Sequence, residues 1–148
     1  MIVLEEWTFY VTGKSLSGTK LLARVRDFEV LVDEPGEIGG TNEAPNPVEY
    51  LLVALAGCLN VTIRGIAEEK GIPVESLEMA IAGKLNPEKF QGLSGEGRAG
   101  FTEVTVSVYL KADAPREKIG ELLKEAEERC PVTDNLINAT PVRIVLKE

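Results

Sequence analysis

The chain has 148 residues, 44% of them hydrophobic. That is enough for one domain with a hydrophobic core and short for two, so a single domain over 1–148 is expected. A formal charge of −8, with 24 acidic against 16 basic residues and no basic cluster, argues against nucleic acid or an anionic membrane surface as partner. No apolar run approaches the ~20 residues of a membrane-spanning helix, and the opening MIVLEEWTFY is acidic where a secretory signal would be basic, so the expected location is the cytoplasm.

Histidine is absent, which removes Ser-His-Asp and Cys-His catalysis, HExxH zinc sites and imidazole bases. Catalysis would have to use Cys, Arg, Lys, Tyr, Asp or Glu. Two cysteines are present, Cys58 and Cys130. In a reducing compartment they are either inert core residues or redox chemistry, since cytosolic thiols rarely form permanent staples.

From the N-terminus, Glu5, Trp7, Phe9 and Val11 alternate as a strand, and Leu22, Phe28, Val30 and Val32 lie on a second such run. Two or three antiparallel strands are expected, with turn residues from Thr12 to Thr19 and a Gly/Pro loop from Asp33 to Pro47. Asn46-Pro47-Val48-Glu49 reads as a helix start: Asn as cap, Pro at the first helical position, and Glu49 able to reach back to the cap amide. From Val48 to Ala67 the pattern is apolar nearly all round, which predicts a helix buried on most faces, against sheet on one side and a partner subunit on the other.

Gly71-Ile72-Pro73 ends that helix. Leu77, Met79, Ile81 and Leu85 then alternate as a strand, and Thr102, Val104, Val106, Val108 and Leu110 as another, joined by a glycine-rich hairpin loop from Gly92 to Gly100. A second helix opens at Pro115, with Ile119, Leu122, Leu123, Ala126 and Cys130 on one stripe. Pro131 breaks or kinks it, Asp134 to Leu136 continue as a short turn, and Val142, Ile144 and Leu146 form a final strand.

Three motifs fail on context. Gly95-Glu96-Gly97-Arg98-Ala99-Gly100 matches GxGxxG but runs into a strand, whereas a dinucleotide site needs it to open a helix. Gly13-Lys14-Ser15 resembles the end of a phosphate loop, yet Thr8 stands where the required glycine would be. Two cysteines without histidine make a poor zinc site.

Cys58 lies in Ala56-Gly57-Cys58-Leu59, where small neighbours would leave room above the sulfur. Burial alone would make it an inert hydrophobe, and only a nearby cation would make it reactive. Arg24 and Arg26 share strand parity with Leu22, Phe28 and Val30. Either is an exposed edge charge or a guanidinium on the apolar face that needs a carboxylate, for which Glu49 is the natural candidate. Glu49 alternatively serves only the capping box. Nine residues separate Glu49 from Cys58, which places them on opposite helix faces ~13 Å apart along the axis. If both belong to one site, Glu49 serves the Cys58 of a second subunit.

Asp33-Glu34-Pro35, Gly39-Gly40, the run from Asn46-Pro47-Val48-Glu49 to Ala56-Gly57-Cys58, and Cys130-Pro131-Val132 together closely resemble the OsmC/Ohr superfamily over nearly the whole chain. The resemblance implies an α+β fold in which two intertwined subunits form antiparallel sheets around two central buried helices, with active sites at the interface. It also implies a thiol peroxidase of organic hydroperoxides: Cys58 is oxidised to a sulfenic acid, Cys130 closes a disulfide with it, and Arg26, preferred over Arg24, is held by Glu49 beside Cys58. No bound cofactor or metal is implied, and the reductant would be a dithiol or a lipoylated protein. Val48 separates Pro47 from Glu49, as in the broader OsmC-like proteins and unlike the Ohr branch. The alternative is a non-peroxidase relative that binds a hydrophobic small molecule or electrophile in the same pocket.

Overall fold

A computed structural model describes residues 4–148. They form two compact units, up to Leu51 and from Leu52 onward, with the boundary inside the long central helix.

The first unit holds a three-stranded antiparallel sheet, β1 Thr12–Ser15, β2 Leu21–Val25 and β3 Phe28–Val32, in that order. The expected strand at Glu5 to Val11 is not formed. Residues 4–11 are irregular and exposed, and the first strand begins at Thr12, in the segment expected to turn. The turn is confined to residues 16–20, where the Ser17 hydroxyl oxygen accepts from the Thr19 and Lys20 amides at 3.2 and 3.0 Å. Alternation alone did not decide the matter: a strand needs a pairing edge as well as a face.

The β2–β3 hairpin turns at Arg26-Asp27, since Val25 pairs with Phe28, and Arg26 has φ 52°. The two-residue turn requires such a left-handed backbone. This overturns the shared strand parity of Arg24 and Arg26. Arg24 reaches across to Glu29 at 3.3 Å, and Arg26 lies over the Phe28 ring, 5.0 Å from its centre.

After β3 the chain loops around one carboxylate. Asp33 is fully buried. Its Oδ1 accepts from the Thr19 hydroxyl at 2.8 Å, and its Oδ2 from the Thr41 hydroxyl at 2.6 Å and the Glu43 amide at 3.0 Å. Burial works against the charge, but the bonds from Thr41, Glu43 and Thr19 outweigh it and hold this carboxyl far below the usual range. A 3-10 turn at Gly36–Ile38 then brings Gly40 against Glu34, where a Cβ would lie 1.9 Å from the Glu34 carbonyl oxygen. The loop ends in the expected capping box: the Glu49 amide donates to Asn46 Oδ1, and the Asn46 amide to Glu49 Oε1, both at 2.9 Å.

Helix α1 runs Pro47–Glu69. By length and composition it could cross a bilayer, with an 18-residue window of mean hydropathy 1.6, which corrects the expectation that no segment could. Single charges such as Arg64 interrupt the apolar run without lowering the average enough. In this fold Leu55, Leu59, Ile63, Ile66 and Ala67 form a stripe in the core of the second unit, alongside Leu122, Ala126 and Cys130. Burying each large member contributes about 1.5–3 kcal/mol. The helix was expected to be buried on most faces; within one chain it is buried on this stripe, and Val53 and Val61 stand exposed.

The second unit adds an antiparallel hairpin, β4 Val74–Lys84 and β5 Glu103–Ala112, with Leu77 opposite Leu110 and Ile81 opposite Val106. The 95–100 glycine stretch lies in the loop between them and opens no helix. Helix α2, Arg116–Arg129, is followed by α3, Pro131–Ile137. The final strand expected at Val142, Ile144 and Leu146 is not formed: residues 139–148 are irregular, and Ile144 is 95% exposed. The alternating pattern is there, but among the described residues no strand pairs with it.

Candidate active site

Cys58 sits one position off the buried stripe of α1, between Leu55 and Leu59, and is partly exposed. The Thr62 hydroxyl, one turn on, donates to the Cys58 carbonyl oxygen at 2.8 Å, and the Val132 amide and the Thr62 side chain both favour the Cys58 thiolate, though not enough to offset burial.

Cys130 is placed by its neighbour. The residue before a proline is pushed out of the helical region, and Cys130 is extended at φ −79°, ψ 113°, so α2 stops there. Pro131 then begins α3 with Cys130 as its cap, the same arrangement as at Asn46-Pro47. The Thr133 amide donates to Cys130 Sγ at 3.4 Å. The ends of α1 and α2 are tied by Arg129, whose guanidinium donates to both Glu69 oxygens at 2.9 Å and to Glu125 at 3.3 Å.

These placements bring the two sulfurs to 3.0 Å, in hydrogen-bonding contact. Cys130 is 0% exposed. The two thiols are not equivalent. Burial pushes the Cys58 thiol up, and Cys130 pushes it further. Burial also opposes charge on Cys130, but Thr133 and Cys58 outweigh it and bring that thiol below its ordinary value.

Beside this pair the second unit has an open groove of about 510 Å³ with apolar walls from Leu55, Leu59, Ile63, Val106, Leu123 and Leu136. Thr133 reaches its edge, but neither sulfur lines it.

Of the four residues expected in the site, the structure brings Cys58 and Cys130 together. Arg26 and Glu49, in the first unit, engage Phe28 and Asn46 respectively, and no ion pair joins them among the described residues. The Thr133 amide and the Arg129–Glu69 clamp were missed in the sequence. A signal for the first existed, since Cys130-Pro131 repeats the cap-then-proline signature; none marked the second.

A partly exposed thiol facing a buried one, on a mixed α+β scaffold with antiparallel sheets, makes this a candidate dithiol redox protein. The chain belongs to the OsmC-like protein family, whose sequence model matches residues 40–145. Over 106 residues it is 33% identical to the uncharacterized protein YmaD of Bacillus subtilis, a match spanning 67% of this chain and 65% of that one, just under two thirds of the relative's length. It is 27% identical to the organic hydroperoxide resistance protein OhrB of the same organism over 83% of each chain. Its fold resembles that of an OsmC-like protein from Mycoplasma pneumoniae, with TM-score 0.79, 20% identity and 91% of each chain covered. It also resembles an organic hydroperoxide resistance protein OsmC from Legionella pneumophila, with TM-score 0.64 and 22% identity over 92% of this chain and 93% of that one.

Proposed function

We propose that this chain is a thiol-dependent peroxidase that reduces organic hydroperoxides, and hydrogen peroxide, through a Cys58 sulfenic acid and a Cys58–Cys130 disulfide. The observation that carries this is the 3.0 Å approach of a partly exposed sulfur to a buried one. Cys58 attacks the distal peroxide oxygen, the O–O bond breaks, and alcohol leaves. Cys130 then attacks the Cys58 sulfenic acid, forming the S–S bond and releasing water. A closing disulfide needs sulfurs this near, and movement of about 1 Å completes the bond. Membership of the OsmC-like family and the likeness to OhrB support the same chemistry.

In this proposal the chain acts as one OsmC-like domain over 1–148 in an intertwined cytoplasmic homodimer, and Arg26 and Glu49 reach Cys58 across the two-fold. The exposed Val53 and Val61 of α1 are an apolar surface that a second chain would cover. A dithiol or a lipoylated protein returns the disulfide to thiols, and no cofactor is required.

A second function is favoured by the apolar groove: binding of a hydrophobic small molecule or electrophile without turnover. Free-thiol titration and intact mass, before and after one equivalent of cumene hydroperoxide, separate the two. Loss of both thiols with a two-hydrogen mass decrease, abolished in Cys58→Ser and Cys130→Ser, supports the peroxidase; unchanged thiols leave the binding protein.

A further inference from the structure

We propose that Arg129, through its clamp on Glu69, is the positioning residue for disulfide closure: it holds the last turn of α2 against α1 and so keeps Cys130 within reach of Cys58. The place of that closure in a catalytic cycle rests on the peroxidase reading.

Cys130 follows α2. It lies at an extended break, yet its amide still donates to the Ala126 carbonyl oxygen at 3.0 Å. Whatever holds the final turn of α2 therefore holds this sulfur. Arg129 ends that turn and donates to both Glu69 oxygens at 2.9 Å. Glu69 stands on the helix that carries Cys58, eleven residues further on, which is about three full turns and returns it to nearly the same face. The two helices thus meet at two separated points, the sulfurs and the clamp. One point alone would let the end of α2 pivot; two fix its approach.

Exposed ion pairs usually contribute little, and the exceptions are bidentate pairs and networks. This clamp is both. Arg129 also donates to Glu125 at 3.3 Å, and Glu125 meets Lys70 of α1 at 3.3 Å. Four alternating charges therefore cross between the helices twice. Arg129 holds the Glu69 carboxyl below its usual range, so the pair is charged at neutral pH. The side chains of Arg129 and Glu69 are 46% and 56% exposed, so salt reaches and screens them. The apolar cluster of Leu59, Ile63, Leu122 and Ala126 is not screened in this way.

Closure in the cycle balances as follows. The Cys130 sulfur attacks the sulfur of the Cys58 sulfenic acid, the S–O bond breaks, and the oxygen leaves as water with the Cys130 proton. The sulfurs move from 3.0 Å to a bond of about 2.05 Å. A clamped α2 needs only that small displacement.

The test is the equilibrium of the full chain with glutathione, which forms the same disulfide without peroxide. Protein dithiol and oxidised glutathione exchange to protein disulfide and two reduced glutathiones. Acid quenching, alkylation and intact mass give the constant. Arg129→Gln should lower it by about two- to five-fold. Glu69→Gln should do the same, and the double variant should fall no further, because each side chain acts through the other. Arg129→Lys keeps the charge but not the fork and should fall between. Lys118→Gln removes an exposed pair that lies within α2 and should match the wild type. Raising KCl from about 0.05 to about 1 M should bring the wild type toward Arg129→Gln, which itself changes less. An Arg129→Gln constant equal to that of the wild type would overturn the positioning role, and so would a deficit that salt does not reproduce in the wild type. Far-UV circular dichroism reports folding, and the wild-type salt series decides if the variants do not fold. The peroxidase reading fails separately: a wild type that closes the disulfide with glutathione but keeps its thiols with cumene hydroperoxide retains the clamp and loses the peroxide step.

Discussion

The sulfur of Cys58 lies 3.0 Å from that of Cys130, although 72 residues separate them in sequence. Three local features create this relationship: the buried stripe of α1, the break that Pro131 imposes on α2, and the Arg129–Glu69 clamp between the two helix ends. The same geometry separates the thiols by access. In the reduced native protein iodoacetamide should modify Cys58, while Cys130 reacts only after unfolding; peptide mass mapping in buffer and in urea checks this. Equal labelling of the two in buffer would contradict the burial of Cys130.

Asp33 should set the acid limit of the first unit. Its folded-state pKa is depressed, so its contribution to stability is fully present above the unfolded carboxylate value near 4 and is lost as pH falls through the lower folded value. Asp33→Asn keeps the shape but loses the charge that Thr19, Thr41 and the Glu43 amide hydrogen-bond to. The variant should have a lower urea midpoint at pH 7, and the gap from wild type should narrow on acidification. A gap independent of pH would remove charge from the explanation.

Gly40→Ala should destabilise the chain by about 2 kcal/mol or more, since the new Cβ would meet the Glu34 carbonyl oxygen at 1.9 Å and backbone would have to move. That oxygen also accepts the Asn42 amide at 3.0 Å, so the displacement spreads into the loop ahead of α1. Chemical denaturation measures the loss; a change within about 0.5 kcal/mol would mean that the loop relaxes freely.

Two positions on α1 should behave oppositely. Ile63 is 1% exposed, and Ile63→Ala should cost about 2–5 kcal/mol in equilibrium unfolding. Val61 is exposed, and in the proposed homodimer it is covered by the second chain. Val61→Glu should then shift a dimeric wild type toward monomer in analytical ultracentrifugation. A wild type that sediments as a monomer would end the dimer proposal.

Much of the fold was legible because the signals were local. The capping box at Asn46 and Glu49, the β4–β5 alternation, the start of α2 after Pro115 and the break at Pro131 each depend on residues a few positions apart. The misses were of another kind. Arg26 looked like a strand residue because Leu22 to Val32 alternates on both sides of it, but the hairpin places it in the turn. Val142, Ile144 and Leu146 alternate as a strand would, yet a strand also needs a neighbour to accept its hydrogen bonds. The expectation that no segment is long and apolar enough to cross a membrane failed at α1, because charges that interrupt a run do not lower its average hydropathy enough.

By itself, then, the sequence determined which residues could do chemistry: two thiols, no imidazole, and a proline that stops a helix at one of those thiols. It also carried the family, in motifs around Asn46, Cys58 and Cys130. The tertiary structure decided which of those residues meet and in what state. Sulfur-to-sulfur distance, the amide that serves Cys130 but not Cys58, and the burial that separates their access all depend on how α1, α2 and α3 pack, and packing brings together residues far apart in the chain.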